Sequence, residues 1–247
     1  MTSAIEITRT AATDLNVPRP SLQELANLNQ DLGETTPQQV LEWAIGRFGP
    51  EVVLACSFGG ISGMALLDMT MQIDRRVPVF YLDTDFLFPE TYALRDQAAH
   101  KYEITPLGFR SVLSPDEQAV QYGEALWQSE PDKCCAIRKV EPNRRALQGR
   151  HAWITGLRRD QSGIRQQVRP IDWDEKFSLY KISPLWNWNE EQVWQYIIDH
   201  EVPFNPLHLQ NYPSIGCTHC TRAVAPGEDS RAGRWSGFGK TECGLHR

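Results

Sequence analysis

The sequence predicts an α/β fold, a mostly parallel sheet with helices on both faces. Short apolar strand-like runs alternate with helical stretches along the chain, the pattern of successive β-α units. The length of 247 residues suits one large domain or two small ones whose core needs no disulfide staples. Hydrophobic residues at 41% and charged residues at 23% are globular values, far from those of a disordered chain.

The elements follow in order. Residues 1–33 are polar, carry Pro18 and Pro20, and read as an N-terminal arm or loosely docked helix. Thr36-Pro37-Gln38-Gln39 has the form of a capping box with proline at N1. Val40, Leu41, Ala44, Ile45 and Phe48 then form an apolar stripe that stops at Gly49 and Pro50. Val52 to Cys56 reads as a buried strand, followed by the loop Ser57-Phe58-Gly59-Gly60 and an apolar helix through Met64, Leu67 and Met71. A second strand, Val77 to Leu82, leads to Asp83-Thr84 and a helix opening at Pro89-Glu90. Ile104 to Phe109 and His151 to Thr155 supply third and fourth strands, with helices near 115–127 and 134–148 between them. Asn187-Trp188-Asn189-Glu190 reads as another capping box, opening a helix that buries Val193, Trp194, Ile197 and Ile198. From Pro203 the chain is rich in Pro, Gly and Arg and has little periodicity. No internal repeat or low-complexity tract is visible. The expected organisation is an arm at 1–33, a nucleotide-binding domain at 34–225 and a mobile C-terminal tail at 226–247.

No apolar run approaches the ~18 residues needed to span a bilayer, and the mean hydropathy is −0.44. The N-terminus lacks a continuous apolar segment of the secretory type, so a cytoplasmic protein is expected. The net charge of −6 conceals an uneven distribution. Residues 133–169 carry ten Lys and Arg against Glu141 and Asp160, a local +8 on an otherwise acidic chain. That suits a compact anionic ligand better than a long nucleic acid, although a solvated basic helix face has the same composition.

Three loops fall at strand ends. The Ser57-Phe58-Gly59-Gly60 loop lets backbone N–H groups approach an anion at a helix N-terminus, or simply reverses the chain; no Gly-Lys-Ser/Thr follows, so it is not a Walker loop. Leu82-Asp83-Thr84 lies where open α/β sheets place ligands, and can hydrogen-bond a ribose or base or cap a helix. Gly156 to Arg165 carries Arg158, Arg159 and Arg165, whose guanidinium forks match phosphate or sulfate oxygens. Nucleic-acid contact is the competing reading of that loop. Trp153 and Trp173 occupy strand-like positions, so no stacking platform is evident.

The six cysteines divide by position. Cys56 ends an apolar strand and reads as core. Cys134-Cys135 and the Cys217-Thr218-His219-Cys220 knuckle bring four thiols that can hold zinc or an iron–sulfur cluster. Adjacent cysteines fit a single tetrahedral ion poorly, so the spacing favours a [4Fe–4S] cluster over zinc. His219 reads as a residue beside the site rather than a ligand. Cys243 lies in a Gly-rich segment (Gly233, Gly237, Gly239, Gly244) near Lys240, Arg231, Arg234 and His246, where a thiolate nucleophile would be stabilised; an incidental C-terminal cysteine is the alternative.

Taken together, these residues resemble the assimilatory phosphosulfate reductase family, and most closely its adenylyl-sulfate (APS) reductases. The resemblance rests on Ser57-Phe58-Gly59-Gly60, Leu82-Asp83-Thr84 with Pro89-Glu90-Thr91, Cys134-Cys135-Ala136-Ile137-Arg138-Lys139, Gly156 to Arg165, Cys217/Cys220, Arg231-Ala232-Gly233-Arg234-Trp235 and Glu242-Cys243-Gly244-Leu245-His246. It implies an adenine-nucleotide α-hydrolase-like fold of the PP-loop type. It also implies one [4Fe–4S] cluster per subunit on Cys134, Cys135, Cys217 and Cys220. Lys139, Arg231, Arg234 and His246 would surround the phosphosulfate, with Lys139 between cluster and substrate. The Ser57 loop, Leu82-Asp83-Thr84 and the Arg158/Arg159/Arg165 loop would hold the nucleotide. Cys243 would attack sulfur to give an S-sulfocysteine, which reduced thioredoxin, a separate protein, would resolve to sulfite. In this family paired cysteines accompany APS, while reductases of the 3′-phosphorylated substrate (PAPS) usually lack them. The chain departs from the family pattern in three places: Asp85 where many members have glycine, Ile61-Ser62-Gly63 in place of an acidic continuation, and an arginine loop about one residue shorter than in some relatives. Besides a PAPS or dual-substrate reductase, an ATP-dependent adenylating ligase of the PP-loop type and a zinc-stabilised nucleic-acid-binding module remain as alternatives.

Overall fold

The computed structural model describes residues 17–238, 240 and 242–246. Residues 1–16 of the expected arm, and Gly239 of the tail, lie outside them. From Ser21 onward the arm is a docked helix, α1 (Leu22–Leu32). The Ser21 hydroxyl accepts from Glu24 N at 3.1 Å, while Leu25, Leu28 and Leu32 pack onto the core. α2 (Pro37–Phe48) opens with the expected box: Thr36 and Gln39 satisfy each other's backbone N–H.

Six strands form one sheet: β1 (Val52–Ala55), β2 (Val79–Asp83), β3 (Leu107–Arg110), β4 (Ala152–Ile154), β5 (Ile171–Asp174) and β6 (Leu179–Ile182). Their order is β3-β2-β1-β4-β6-β5, and every neighbouring pair is parallel except the β5–β6 hairpin. The hairpin lies outside the strands expected from the sequence, because Asp172, Asp174 and Lys181 interrupt its apolar pattern. β5 would be a bare edge, but Asn29 of α1 donates to Ile171 O at 2.9 Å and accepts from Ile171 N at 3.2 Å. The edge is thereby capped by a side chain rather than left open to another strand.

α3 (Ile61–Ile73) is buried almost throughout, and α4 (Pro89–Tyr102) crosses from β2 to β3. The expected long helices over 115–148 are instead α5 (Pro115–Tyr122), α6 (Leu126–Ser129), α7 (Pro131–Cys135) and α8 (Glu141–Ala146). Gly123 at φ +93 and Pro131 divide them. Between α7 and α8, Ala136–Val140 forms one turn of π-helix, an irregularity often found at functional sites. The last helix, α9 (Glu190–Asp199), is capped two residues later than the sequence suggested, by Asn189 and Gln192. Its buried face is therefore Val193, Tyr196 and Ile197, while Ile198 is 65% exposed.

The chain runs outward from β1 through β2 to β3, then returns to the other side of β1 with β4. The strand order thus reverses between β1 and β4, and ligands of open α/β sheets sit beyond the carboxyl ends at such a point.

Candidate active site

A cavity of about 310 Å³ opens at that switch point. The loop after β1 and the loop after β4 form its two banks. Gly156 lets them meet, since a Cβ there would stand 3.0 Å from Ser62 Cβ and 3.3 Å from Gly63 N. The β1 loop is braced from behind: His208 Nε2 lies 3.0 Å from Gly59 O, and Asn205 Nδ2 donates to Phe58 O at 3.4 Å.

Of the residues assigned to the site from the sequence, Ser57, Gly59, Gly60, Leu82, Thr84, Lys139, Arg158, Arg165, Arg231, Arg234, Cys243 and His246 line this cavity. Three expected residues turn elsewhere. Phe58 adopts φ +53 and buries its ring in the core, edge-on to Tyr81 at 5.8 Å. Asp83 accepts from Tyr92 Oη at 2.6 Å and from Arg110 Nε at 2.9 Å, so its carboxylate is already engaged. Burial opposes its charge, yet those two donors prevail and hold it below the usual carboxylate range. Arg159 is exposed and lies 4.1 Å over the Trp186 ring.

The +8 segment is likewise not one basic face. Arg145 pairs with Glu141, Arg150 donates to Pro50 O, and only Lys139, Arg158 and Arg165 of the segment reach the cavity. Arg231 and Arg234 bring the lining cations to five, against the carboxylates Asp160, Glu190 and Glu242. Asp160 is engaged by Arg158, at 2.9 and 3.0 Å. Burial, then repulsion from Arg165, lowers the Arg231 pKa to about 10. Burial and the charges of Lys181, Arg165, Arg231 and Lys176 push His246 well below the usual imidazole value, so it is neutral at pH 7. The cavity is cationic and partly desolvated, a setting whose field favours an anionic ligand.

Other residues of the site carried no signal in the sequence. Gln161 Nε2 donates to Gly156 O at 3.1 Å, while its Oε1 accepts from Arg158 N and the Arg165 guanidinium, shaping the β4 loop. Asn143 lines the cavity with a buried Nδ2 that has no acceptor. It stands four residues after Lys139, the one hint available from spacing.

The tail folds back across the cysteine knuckle. Arg222 N donates to Gly233 O at 3.0 Å, and Trp235 N to Cys220 O at 3.0 Å. Gly216 leaves room for the Arg234 guanidinium, which any Cβ there would strike. Arg234 donates to Ser214 Oγ at 3.1 Å and Ile215 O at 3.3 Å, and its Nε is buried without a partner. Cys243 is thereby held against the cavity that contains the arginines.

Behind this cavity lies a second, lined by Cys134, Cys135, Cys217, Cys220, Arg138, Lys139, Phe86, Trp127, Pro131 and His219. All four thiols are free of disulfides. α7 carries one pair, and the loop after β2 holds the other: Thr84 Oγ1 lies 3.3 Å from Cys217 Sγ, and Thr218 N donates to Phe86 O at 2.8 Å. His219 stacks on Trp127 at 3.9 Å, outside the thiols, as a covering residue. Burial and the neighbouring thiols push Cys134 and Cys220 up to about 11. Cys56, by contrast, packs in the core with its thiol at about 12 through burial.

Arg138 is 1% exposed; Nε donates to Gln118 at 2.8 Å and Nη1 to Asp85 at 2.9 Å, while Nη2 has no acceptor. Asp85 stands at φ +59, the left-handed region where glycine is unstrained, and its carboxylate is what it gains there. Among the described residues, no group of three or more His, Cys, Asp or Glu side chains is placed to hold a single metal ion.

Lys139 lines both cavities. Burial works against its charge, but Cys217, Cys243 and Cys135 outweigh it and hold the ammonium above the ordinary lysine range.

Fold and site define an α/β protein with a parallel-sheet switch point and a thiol, Cys243, at its cationic cavity. The Candida glabrata FMN adenylyltransferase structure shares the fold alone: TM-score 0.55, 14% identity, 81% of this chain and 66% of that one. The chain belongs to a narrower group, the phosphoadenosine phosphosulfate reductase domain family, whose pattern it matches over residues 51–223. It is 46% identical over 220 residues to the adenosine 5'-phosphosulfate reductase of Shouchella clausii, spanning 89% of this chain and 91% of that protein. The phosphate complex of phosphoadenylyl-sulfate reductase from Candida auris aligns with TM-score 0.74 and 35% identity, over 83% of this chain and 99% of that one. No described helix is long and apolar enough to cross a membrane.

Proposed function

We propose that this chain is an APS reductase of sulfate assimilation, forming sulfite and AMP. The observation that carries the reading is the convergence of Cys243 with Lys139, Arg158, Arg165, Arg231 and Arg234 on one cavity at the switch point. The Ser57–Gly60 loop and the loop after β4 hold the nucleotide. The arginines and Lys139 take the phosphosulfate oxygens and neutralise their charge in flight. The Cys243 thiolate attacks the sulfate sulfur, its S–S bond forms as the S–O bond to phosphate breaks, and AMP leaves with the electron pair. A thiol of reduced thioredoxin then attacks Cys243 Sγ and expels sulfite, and its second thiol closes a disulfide.

The four free thiols around the second cavity would hold one [4Fe–4S] cluster as its full donor set, and the buried Arg138 Nη2, which has no acceptor, would offer an N–H to that anionic group. When bound, the cluster supplies a fixed charge distribution beside Lys139, while both electrons come from the reductant's thiols. The tail at 226–247 closes over the nucleotide and must open to meet the partner. Such chemistry belongs to a reducing cytoplasm.

Mixing the protein with APS in the absence of reductant and weighing it tests the reading. Addition of SO₃ to Cys243, followed by sulfite release on adding thioredoxin, is the expected outcome. Unmodified Cys243 refutes it. A PAPS substrate is favoured by one observation, a 43% identical relative from Gloeobacter violaceus named phosphoadenosine 5'-phosphosulfate reductase, and the same assay with PAPS decides. Anaerobically purified protein should be brown; a colourless zinc protein refutes the cluster.

A further inference from the structure

The residue before the nucleophile occupies the substrate's own cations. Glu242 is 2% exposed, yet it lines the cavity and accepts from Arg165 in a fork: Nε to Oε1 at 2.8 Å, Nη2 to Oε2 at 2.7 Å. Arg231 Nη2 lies 3.5 Å from the same Oε2. The two arginine side chains are only 12% and 16% exposed. A bidentate guanidinium–carboxylate pair removed from water is far stronger and more directional than a surface pair. Either side of Cys243, Lys240 Nζ lies 2.7 Å from Asp132 and Lys176 Nζ donates to Gly244 O at 2.5 Å. Unlike these two contacts, the Glu242 contact uses groups that an anionic substrate would also seek.

We propose that Glu242 is a positioning residue, a carboxylate latch that seats Cys243 in the cavity and competes with the substrate for Arg165 and Arg231. Resting on the APS reductase reading, the latch has two opposed effects. It aims the nucleophile, which speeds sulfur transfer, and it neutralises two receptor cations, which weakens nucleotide binding. Removing its charge therefore tightens binding and slows transfer. A residue that merely supported the fold would worsen both.

The test compares wild type, Glu242→Gln and Glu242→Asp as holoprotein. APS affinity is measured by calorimetry with Cys243→Ser added to each, so that nothing turns over. Glu242→Gln should bind APS on the order of 10-fold more tightly, because two buried cations lose their internal partner. Its S-sulfonation at saturating APS should be about 10²-fold slower, the cost of a misplaced reacting group. Glu242→Asp, which keeps the carboxylate, should recover most of the rate. Alkylation of Cys243 by iodoacetamide without nucleotide should be faster in Glu242→Gln than in wild type. Affinity and rate that fall together, or that match wild type, overturn the latch. Equal alkylation rates overturn it too, whether or not APS is the substrate. Wild type that alkylates slowly yet is never sulfonated by APS refutes the functional reading and leaves the latch standing.

Discussion

The two cavities meet at Lys139 and solve opposite electrostatic problems. The switch-point cavity gathers five cations, and burial, then repulsion from Arg165, lowers Arg231 to about 10. It is prepared for an anion from solution, and the ligand's charge relieves the repulsion among its walls. The cysteine cavity gathers four thiols behind Trp127 and His219, where burial drives Cys134 and Cys220 up to about 11. Four free thiols around one cavity would suit a resident metal group, which would favour their thiolate form by binding sulfur directly. The first cavity is walled by strand-end loops and the C-terminal residues, the second by a helix, a strand-end loop and an aromatic cover.

The largest effect expected from breaking this division is at Cys243. Cys243→Ser should lose turnover by on the order of 10³-fold or more, since hydroxyl cannot replace thiolate at sulfur. The comparison requires that APS binding and the iron content both persist. Sulfite assays, calorimetry and iron analysis on one preparation check all three. Loss of iron with the nucleophile would show that the cavities are not separable.

Lys139→Met comes next, because it removes the cation common to both sites while keeping a stem of similar length. Sulfur transfer should slow by roughly 10²–10³-fold, the usual cost of losing a charge aimed at a reacting anion. Rapid-mix mass spectrometry of Cys243 S-sulfonation measures it. A normal transfer rate would mean that Lys139 serves the thiols alone.

The same division explains what the sequence disclosed. Local rules needed only neighbours, so the Thr36–Gln39 box, the strands β1, β2 and β4 and the strand-end loops were legible. The second box was misplaced because Asn187 and Asn189 offer two candidate caps, and the two-residue slip also exchanged Tyr196 for Ile198 on the buried face. Loop membership did not reveal side-chain direction, so Phe58, Asp83 and Arg159 were grouped with a cavity whose walls they do not form. Glu242 passed unnoticed because its partner Arg165 lies 77 residues away, and no local pattern encodes such a contact.

A smaller effect is expected at Asp85, which sharpens the boundary of the cysteine cavity. Asparagine tolerates the left-handed backbone at least as well as aspartate, so Asp85→Asn isolates the carboxylate's charge from the conformation. Arg138 would keep Gln118 and Thr84 O but lose its anionic partner. Unpairing a buried guanidinium is costly, and the 22% exposure of Asp85 moderates it to about 1–3 kcal/mol. Denaturant unfolding of the holoprotein measures the loss, and APS affinity should stay at the wild-type value. An unchanged stability would mean that Arg138 is satisfied without Asp85.

The smallest effect concerns acid and the tail. His246 stacks near Trp153 at 5.4 Å, with Lys176, Lys181, Arg165 and Arg231 around it, and its pKa lies well below 6.5 when docked. An undocked tail returns it to the ordinary value and binds a proton more readily. The docking free energy tied to His246 is therefore complete above pH 6.5 and is lost as pH falls below it, at up to about 1.4 kcal/mol per pH unit. Hydrogen exchange of the C-terminal peptide, wild type against His246→Gln at each pH, removes the intrinsic pH dependence of exchange. Wild-type protection should decline relative to the variant only on the acid side of pH 6.5. Parallel curves for the two proteins would place the acid sensitivity of the nucleotide cavity elsewhere than in the imidazole that closes it.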